Sequence, residues 1–512
     1  MVAPGTSLAI LLPVLLPLVG ATAAFLAGGA SLKTGRRVQV WTGLLTAAGI
    51  LGSVALLLSV VATGGPVSYR LAGWEAPVGI ALRADGLSVL MLLTTALVGG
   101  FGSVYAVGYF SDDGKKDNRT GREVEGFRDP GGSFWPLWLF LWAALNGLFL
   151  SGDAFNLYVT LELLGLSAAA LISLGATGSA LAAGMRYLMV SLLGSLAYLL
   201  GVALLYGAFG VLDISLLGGQ VSSVPATWAA LAFISLGMAL KTGLFPLHFW
   251  LPSAYSASPS VASALLAALV GKASFYILLR LWFDVFENSV PVVSGQLLGA
   301  FGAAAILWGA IMAVRQRRLK LLLAYSSVSQ IGYLFLVFAL VTGGGREFDA
   351  WAGASYLVLA HASAKAAMFM AAGAIIFALG HDDIDRLRGI AQKLPIPVAS
   401  FAIAGITIMG LPTSGGFTAK WLLLSSSFSS GQWWYGGVIL AGGVLAAVYL
   451  LRFLNPALIQ VKTSPVHRIP PKSMAVSSFV LALVSLALGL TSAPLLDLLA
   501  VGAPFQPEVP GE

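Results

Sequence analysis

The chain of 512 residues contains no cysteine. That excludes disulfides, thiolate zinc sites and thiolate-held iron–sulfur clusters within it. Histidine is nearly as scarce: the four present, His248, His361, His381 and His467, show no metal-ligand spacing. Charge is scarce as well, at 10% of residues, where a soluble domain carries about a quarter. No lysine or arginine precedes the first apolar run, so residues 6–29 read as an uncleaved helix rather than a signal peptide. The longest polar segment, 111–133, is Gly-rich with both signs of charge, which marks a loop and not a soluble domain. Neither a cofactor nor a metal site is expected, and nothing points to nucleic acid.

What is present is apolar: 58% of residues are hydrophobic and the mean hydropathy is +0.90. Each bilayer crossing by a helix needs about 20 such residues. Runs of that kind fall near 6–29, 38–63, 86–109, 134–151, 154–174, 180–208, 227–250, 259–283, 294–314, 320–342, 351–379, 396–425, 434–458 and 474–498. A closed barrel would show weak alternating segments of about ten residues. These runs are longer and apolar on every face, so the pattern predicts an all-α integral membrane protein with about fourteen transmembrane helices.

The formal charge of +7 follows topology. Basic residues gather in the loops 31–38 (Lys33, Arg36, Arg37), 111–133 (Lys115, Lys116, Arg119, Arg122, Arg128), 315–320 (Arg315, Arg317, Arg318, Lys320), 386–393 (Arg386, Arg388, Lys393) and 462–472 (Lys462, Arg468, Lys472). Each follows an odd-numbered helix. Loops after even helices carry mainly Arg70, Arg83 and Arg346. The positive-inside rule then places the odd-to-even loops in the cytoplasm and both termini outside the cell membrane.

Two helices look broken. In KTGLFPLHFWLP (241–252), Pro246 removes a backbone donor and crowds the preceding turn; in GLPTSGGFTAK (410–420), Pro412 and the Gly415–Gly416 pair do the same. Irregular backbone at membrane depth is tolerated only inside protein or beside a water-filled cavity. The breaks fall in the seventh and twelfth runs, an odd spacing, so two copies of one unit would cross in opposite directions. Paired interrupted helices in inverted halves point to a transporter's ion site. The expected organisation is 1–133 (three helices and a cytoplasmic loop), 134–285 and 286–460 (two inverted five-helix repeats, each with a broken helix), and 461–512 (a last helix and tail).

Ionisable residues inside such runs are costly and functional by default. Most acids lie in loops or at helix ends. Glu162 is the exception, nine residues past Asp153, which is roughly 13 Å into the membrane at the helical rise. Lys241, Lys272, Lys365 and Lys420 each lie well inside a run. A lysine near a helix end can snorkel to the headgroups, but Lys241 and Lys365 have long apolar flanks on both sides. Burial lowers a lysine's pKa and a nearby carboxylate raises it. Lysines between those influences, bridged by water, form a plausible proton relay, with Glu162 pairing Lys241. A structural salt bridge would account for that pair and not for three further lysines. His361 shares a helix face with Lys365, His248 follows the Pro246 break, and both suit proton exchange. Arg186 is also intramembrane; because arginine keeps its proton, its expected role is electrostatic tuning.

At these residues the chain resembles the antiporter-like subunits shared by Mrp-type multisubunit cation/proton antiporters, respiratory complex I and membrane-bound hydrogenases. The motifs run in order from DGLSVLMLL (85–93) through SGDAFNLYVTLELLGLSAAAL (151–171), KTGLFPLHFWLP (241–252), GKASFYILLR (271–280), LKLLLAYSSVSQIGY (319–333) and HASAKAAMFMAAG (361–373) to GLPTSGGFTAKWLLL (410–424). The resemblance implies an in-plane hydrophilic axis. It places Glu162 as the fifth-helix glutamate, Lys241 as the seventh-helix lysine and His248 as the histidine at its break. Lys272 becomes the eighth-helix lysine, Lys365 with His361 the eleventh-helix site, and Lys420 the twelfth-helix lysine. Two departures touch the access route rather than the axis: LPSAY (251–255) stands where many relatives read LPDA, and Arg186 stands where they often show lysine.

Within the family the chain is most similar to the D-type subunits of Mrp Na+/H+ antiporters. The resemblance then implies a secondary transporter subunit rather than an enzyme, partnered by A, B, C, E, F and G subunits, lipid, protons and sodium. A proton-pumping subunit of complex I or of a membrane-bound hydrogenase is the alternative.

The loop charges generate one test. Cysteines introduced at positions 2 and 510 of this cysteine-free chain should react with an impermeant thiol reagent on intact cells. Labelling of both only after lysis would overturn the topology.

Overall fold

The computed structural model describes residues 4–29, 32–75, 79–111, 130–289, 291–461 and 465–507. Every apolar run predicted from the sequence is helical. Among the described residues, twelve helical stretches are long and apolar enough to cross a bilayer. Two further apolar helices, Pro395–Met409 and Lys472–Ala487, are shorter. Lys115, Lys116, Arg119, Arg122, Arg128 and Lys462 lie outside the described residues.

Two central helices, Ser260–Asp284 and Glu347–Leu379, are almost wholly buried by their neighbours. Peripheral ones bury one side and expose leucine, valine and methionine on the other, as at Leu181, Met185, Met189, Leu193 and Leu196 of Gly178–Phe209. An apolar outer face is what a helix meeting lipid requires. Where helices pack most closely, small residues let the backbones approach. Val292–Arg315 and Leu319–Thr342 touch through Gly302 and Gly332: a Cβ on Gly302 would lie 2.7 Å from the Gly332 carbonyl oxygen, and one on Gly332 2.4 Å from that of Gly302.

Non-helical segments gather at two ends. At one, a short antiparallel hairpin pairs Val67–Arg70 with Ala81–Ala84 in the register Val67↔Ala84. Leu82 bridges to Ser151, and Asp153 to Asp213. The tail reaches this end too, because Gly86 N–H donates to the Val501 carbonyl and Phe505 packs on Phe283. At the opposite end Arg318 pairs with Asp382 at 3.0 Å, Leu319 N–H donates to the Asp382 carbonyl, and His467 N–H donates to that of Ala378. The segments that follow even-numbered runs thus meet at the hairpin end.

Two expectations need adjustment, and the break predicted in the seventh run is present. The last run, expected as one helix over 474–498, divides into Lys472–Ala487 and Ala493–Ala500. The turn between them seats Gly489 against the Ser414 backbone, where a Cβ would approach to 2.4 Å, and Tyr356 donates to the Leu488 carbonyl. Lys320, expected in a basic loop, begins the helix Leu319–Thr342 and is buried. The seventh run is helical only to Thr242, then resumes past the break as Leu251–Ala257.

The Gly302–Gly332 contact is testable. Gly302→Leu should cost about 1–3 kcal/mol through overpacking, read as a lower melting temperature of the detergent-purified protein. An unchanged melt would contradict so close a crossing.

Candidate functional site

Both breaks are built the same way. Pro225–Thr242 ends at Gly243, whose left-handed φ of +79° lets its N–H reach the Ala239 carbonyl while the Leu244 N–H returns to the same oxygen. Pro395–Met409 ends at Gly410, φ +81°, with Gly410 and Leu411 N–H both returning to Ile406. This is the Schellman geometry, for which glycine is suited because it carries no Cβ. Beyond the second break, Ser414 caps Gly415–Ser429 by accepting from the Phe417 N–H. The carbonyls near each helix end face inward with partial negative charge, which favours a cation there.

Cations occupy both places. Lys241 lies in the last turn before Gly243; its Nζ donates to Ser195 Oγ at 2.5 Å and stands 3.8 Å from Glu162 Oε1. Lys420 reaches back across the second break: its Nζ donates to the Ile408 carbonyl at 2.7 Å and the Met409 carbonyl at 3.3 Å. The same ammonium sits 4.4 Å from the centre of the Tyr333 ring, a cation–π contact. Glu162 is the only carboxylate paired with these lysines among the described residues, and its side chain keeps 22% exposure.

Between the breaks the lysines rely on backbone and hydroxyl oxygens. Lys272 donates to the Ala267 carbonyl, within a π-helical turn over Leu266–Val270. A π-turn displaces carbonyls from the regular ladder and is common at functional sites. Lys365 donates to Ser326 Oγ and, at 3.0 Å, to the Leu323 carbonyl of the adjacent helix. His361 is buried, with neither ring nitrogen hydrogen-bonded within the described residues, and lies in electrostatic reach of Lys272, Lys365 and Lys420. Lys241, Ser191 and Ser274 of the Lys272 helix line one packing gap too small to hold a water.

Two predicted residues stand apart. Arg186 is exposed on the outer face of its helix and donates to Ser253 Oγ at 3.1 Å. His248 is half-buried at the break, its ring stacked on Phe245 with centroids 5.6 Å apart and its Nδ1 unpartnered.

Sequence reasoning passed over Lys320 and Arg280. Lys320 Nζ donates to the Ser258 carbonyl, just past the end of Leu251–Ala257, at 2.6 Å. Arg280 is buried and meets Asp85 at 2.5 Å. The available signal for Arg280 was its spacing, two steps of four residues beyond Lys272. For Lys320 no local signal distinguishes a buried helix start from a basic loop.

Residues 151–447 match the family model described as "NADH:quinone oxidoreductase/Mrp antiporter, TM". The N-type subunit of the NADH-quinone oxidoreductase of Desulforudis audaxviator is 36% identical over 87% of this chain and 88% of its own. The D-type subunit of the Na(+)/H(+) antiporter of Bacillus subtilis is 29% identical over 94% of this chain and 93% of its own. Among solved structures, a chain of the Mrp complex from Dietzia sp. DQ12-45-1b superposes with TM-score 0.83 at 25% identity, covering 98% of both chains. The matched segment spans more than half of the chain, and the chain belongs to the NADH:quinone oxidoreductase/Mrp antiporter membrane family.

Proposed function

We propose that this chain is the proton-translocating subunit of a multisubunit Na+/H+ antiporter and that its buried Glu/Lys/His row is the path. The observation that carries the reading is the way Lys241, Lys272, Lys365 and Lys420 are held. Each ammonium donates to a serine hydroxyl or a carbonyl near a break, π-turn or neighbouring helix, and just one of them faces a carboxylate. Such partners stabilise a charged lysine without locking it. A neutral lysine can accept a proton from one neighbour, and the added charge then favours release from the next. Glu162 biases the first lysine, His361 bridges the two halves, and Lys420 ends the row beside the second break. The paired breaks support two inverted repeats, with Lys241 and Lys420 in related places.

The antiporter relatives support a transporter subunit rather than a catalytic enzyme, set in the cell membrane beside other subunits. The alternative is a proton-pumping subunit of a complex I-type redox enzyme. The 36% identity to the Desulforudis audaxviator protein, above that to the antiporter subunit, favours it. Neighbouring genes separate the two: small antiporter subunits in one case, quinone-reducing or hydrogenase-type subunits in the other.

Glu162→Gln and Lys241→Ala are each expected to abolish cation-dependent proton movement while the complex still assembles. Near-normal transport from either, at normal membrane levels, would remove the central pair. Lys420→Arg keeps the positive charge but replaces a group that can release its proton with one that cannot, since arginine keeps its proton at any physiological pH. It should preserve assembly and lose transport. The measurement is pH-gradient collapse on sodium addition in inverted vesicles containing the complete complex, beside an immunoblot for assembly. Wild-type activity from Lys420→Arg would show that this lysine keeps its proton throughout the cycle.

A further inference from the structure

The helix that carries Lys272 does not become apolar beyond it. Tyr276, Arg280 and Asp284 follow at four-residue steps, so all four groups share one face running toward the hairpin end. Tyr276 Oη donates to the Phe149 carbonyl at 2.7 Å and accepts from Arg280 Nε at 3.2 Å. Arg280 Nη2 donates to Asp85 Oδ1 at 2.5 Å and to Ser88 Oγ at 3.0 Å, while Nη1 lies 3.4 Å from Asp284. Arg83 closes the group, 3.4 Å from Asp85 and 3.7 Å from Asp284.

Directly over this group lies a cavity of about 120 Å³. Its mouth is formed by exposed residues of the hairpin and of the segment after the sixth run, Ser68, Arg70 and Ser215. Its floor is the buried Tyr276, with Ser88 and Arg280 beside it. A water needs roughly 10–15 Å³ of such space and two to four polar partners, so the cavity suits several waters. From its floor to Lys272 is one turn of helix.

We propose that this cavity with Tyr276, Ser88 and the Asp85–Arg280–Asp284 cluster is a proton portal joining Lys272 to the solvent on the hairpin face. The inference rests on the reading of the buried lysines as a proton path. A hydronium in the cavity gives a proton to the Tyr276 oxygen as that hydroxyl, turning from the Phe149 carbonyl, passes its own by way of a bridging water to the lone pair of a neutral Lys272; the hydronium is left as water, the tyrosine is unchanged and the lysine becomes an ammonium. The reverse order releases a proton outward. Arg280 never gives up its proton; it holds the tyrosine oxygen and the two carboxylates in place. Burial would push the Asp85 carboxyl up, but the Arg280 guanidinium, its hydrogen bond and Arg83 outweigh that and hold it below the usual carboxylate value. Asp85 therefore stays ionised as the counter-charge of Arg280 and Arg83. A bare structural ion pair is a poor stabiliser compared with apolar packing, and it needs neither a water-sized cavity nor a tyrosine hydroxyl at its floor.

The absence of cysteine makes the portal directly testable in the complete complex. Ser68→Cys places a thiol at the mouth, and Ser223→Cys places one on an exposed site of the same face, away from the cavity. A sulfonated methanethiosulfonate, applied from each face in turn, should block transport in the first variant and leave the second at its unmodified rate. Tyr276→Phe, which keeps the ring and removes one oxygen, should lower the rate by about tenfold or more at normal assembly. A wild-type rate from either fully modified Ser68→Cys or Tyr276→Phe overturns the portal. Glu162→Gln is measured alongside: if it also keeps the rate, the proton-path reading fails as a whole; if it alone loses the rate, only the portal fails.

Discussion

An ammonium group inside a bilayer has to find oxygen somewhere other than water, and the interior of this protein is arranged around that need. Placing a lysine at the centre of a spanning helix costs roughly 2.5–3.5 kcal/mol on insertion scales. One or two charge-assisted hydrogen bonds, at about 1.5–3 kcal/mol each, are enough to offset it. A regular helix offers none, since its carbonyls are already engaged. Each buried lysine therefore sits where regularity fails or a neighbouring helix lends an oxygen. Lys420 uses the carbonyls ending Pro395–Met409, Lys272 the π-turn, Lys365 the Leu323 carbonyl and Ser326, and Lys320 the Ser258 carbonyl past the first broken helix. Lys241 uses Ser195 and the one available carboxylate. The helix defects and the buried charges are one design.

That coupling bears on conduction. A lysine locked to a carboxylate would hold its proton deeply, and one with no partner would lose it. Neutral oxygen partners leave the charged and uncharged forms closer in free energy, which is the condition for hopping. His361 lies in electrostatic reach of three of these lysines, with neither ring nitrogen hydrogen-bonded among the described residues. The row also needs ways out. The cavity at the hairpin end reaches within a helical turn of Lys272, and Lys320 with Asp382 marks the opposite end.

Much of this was legible in the chain itself, because a membrane leaves few choices. Hydropathy marks the spans, proline and glycine mark the breaks, and a charge in a long apolar run stands out at Glu162, Lys241 and Lys365. What could not be read depends on residues distant in sequence. Lys320 looks like one more loop cation until Ser258, 62 positions away, is seen to accept from it. Arg280 looks like a helix-end snorkeller until Asp85, 195 positions away, is found against it. The turn at Leu488–Ser492 exists because Gly489 rests on Ser414 of the second break, a contact no local pattern announces. Arg186 shows the converse: its span is plain in the sequence, but its outward direction is set by packing.

The two assemblies in which such a chain could work place the same demand on its interior and differ in what drives it. In an antiporter the sodium gradient alone moves the protons; in a redox pump, electrons must flow elsewhere in the complex. The measurement that tests the account most directly is made on the purified complex in sealed proteoliposomes, with a pH gradient imposed and no electron donor or acceptor present. Sodium added to one side should collapse the gradient, followed by an acridine dye. A gradient that persists under sodium, and moves only when an electron donor and a quinone or other acceptor are supplied, would contradict the account and assign the chain to a redox pump.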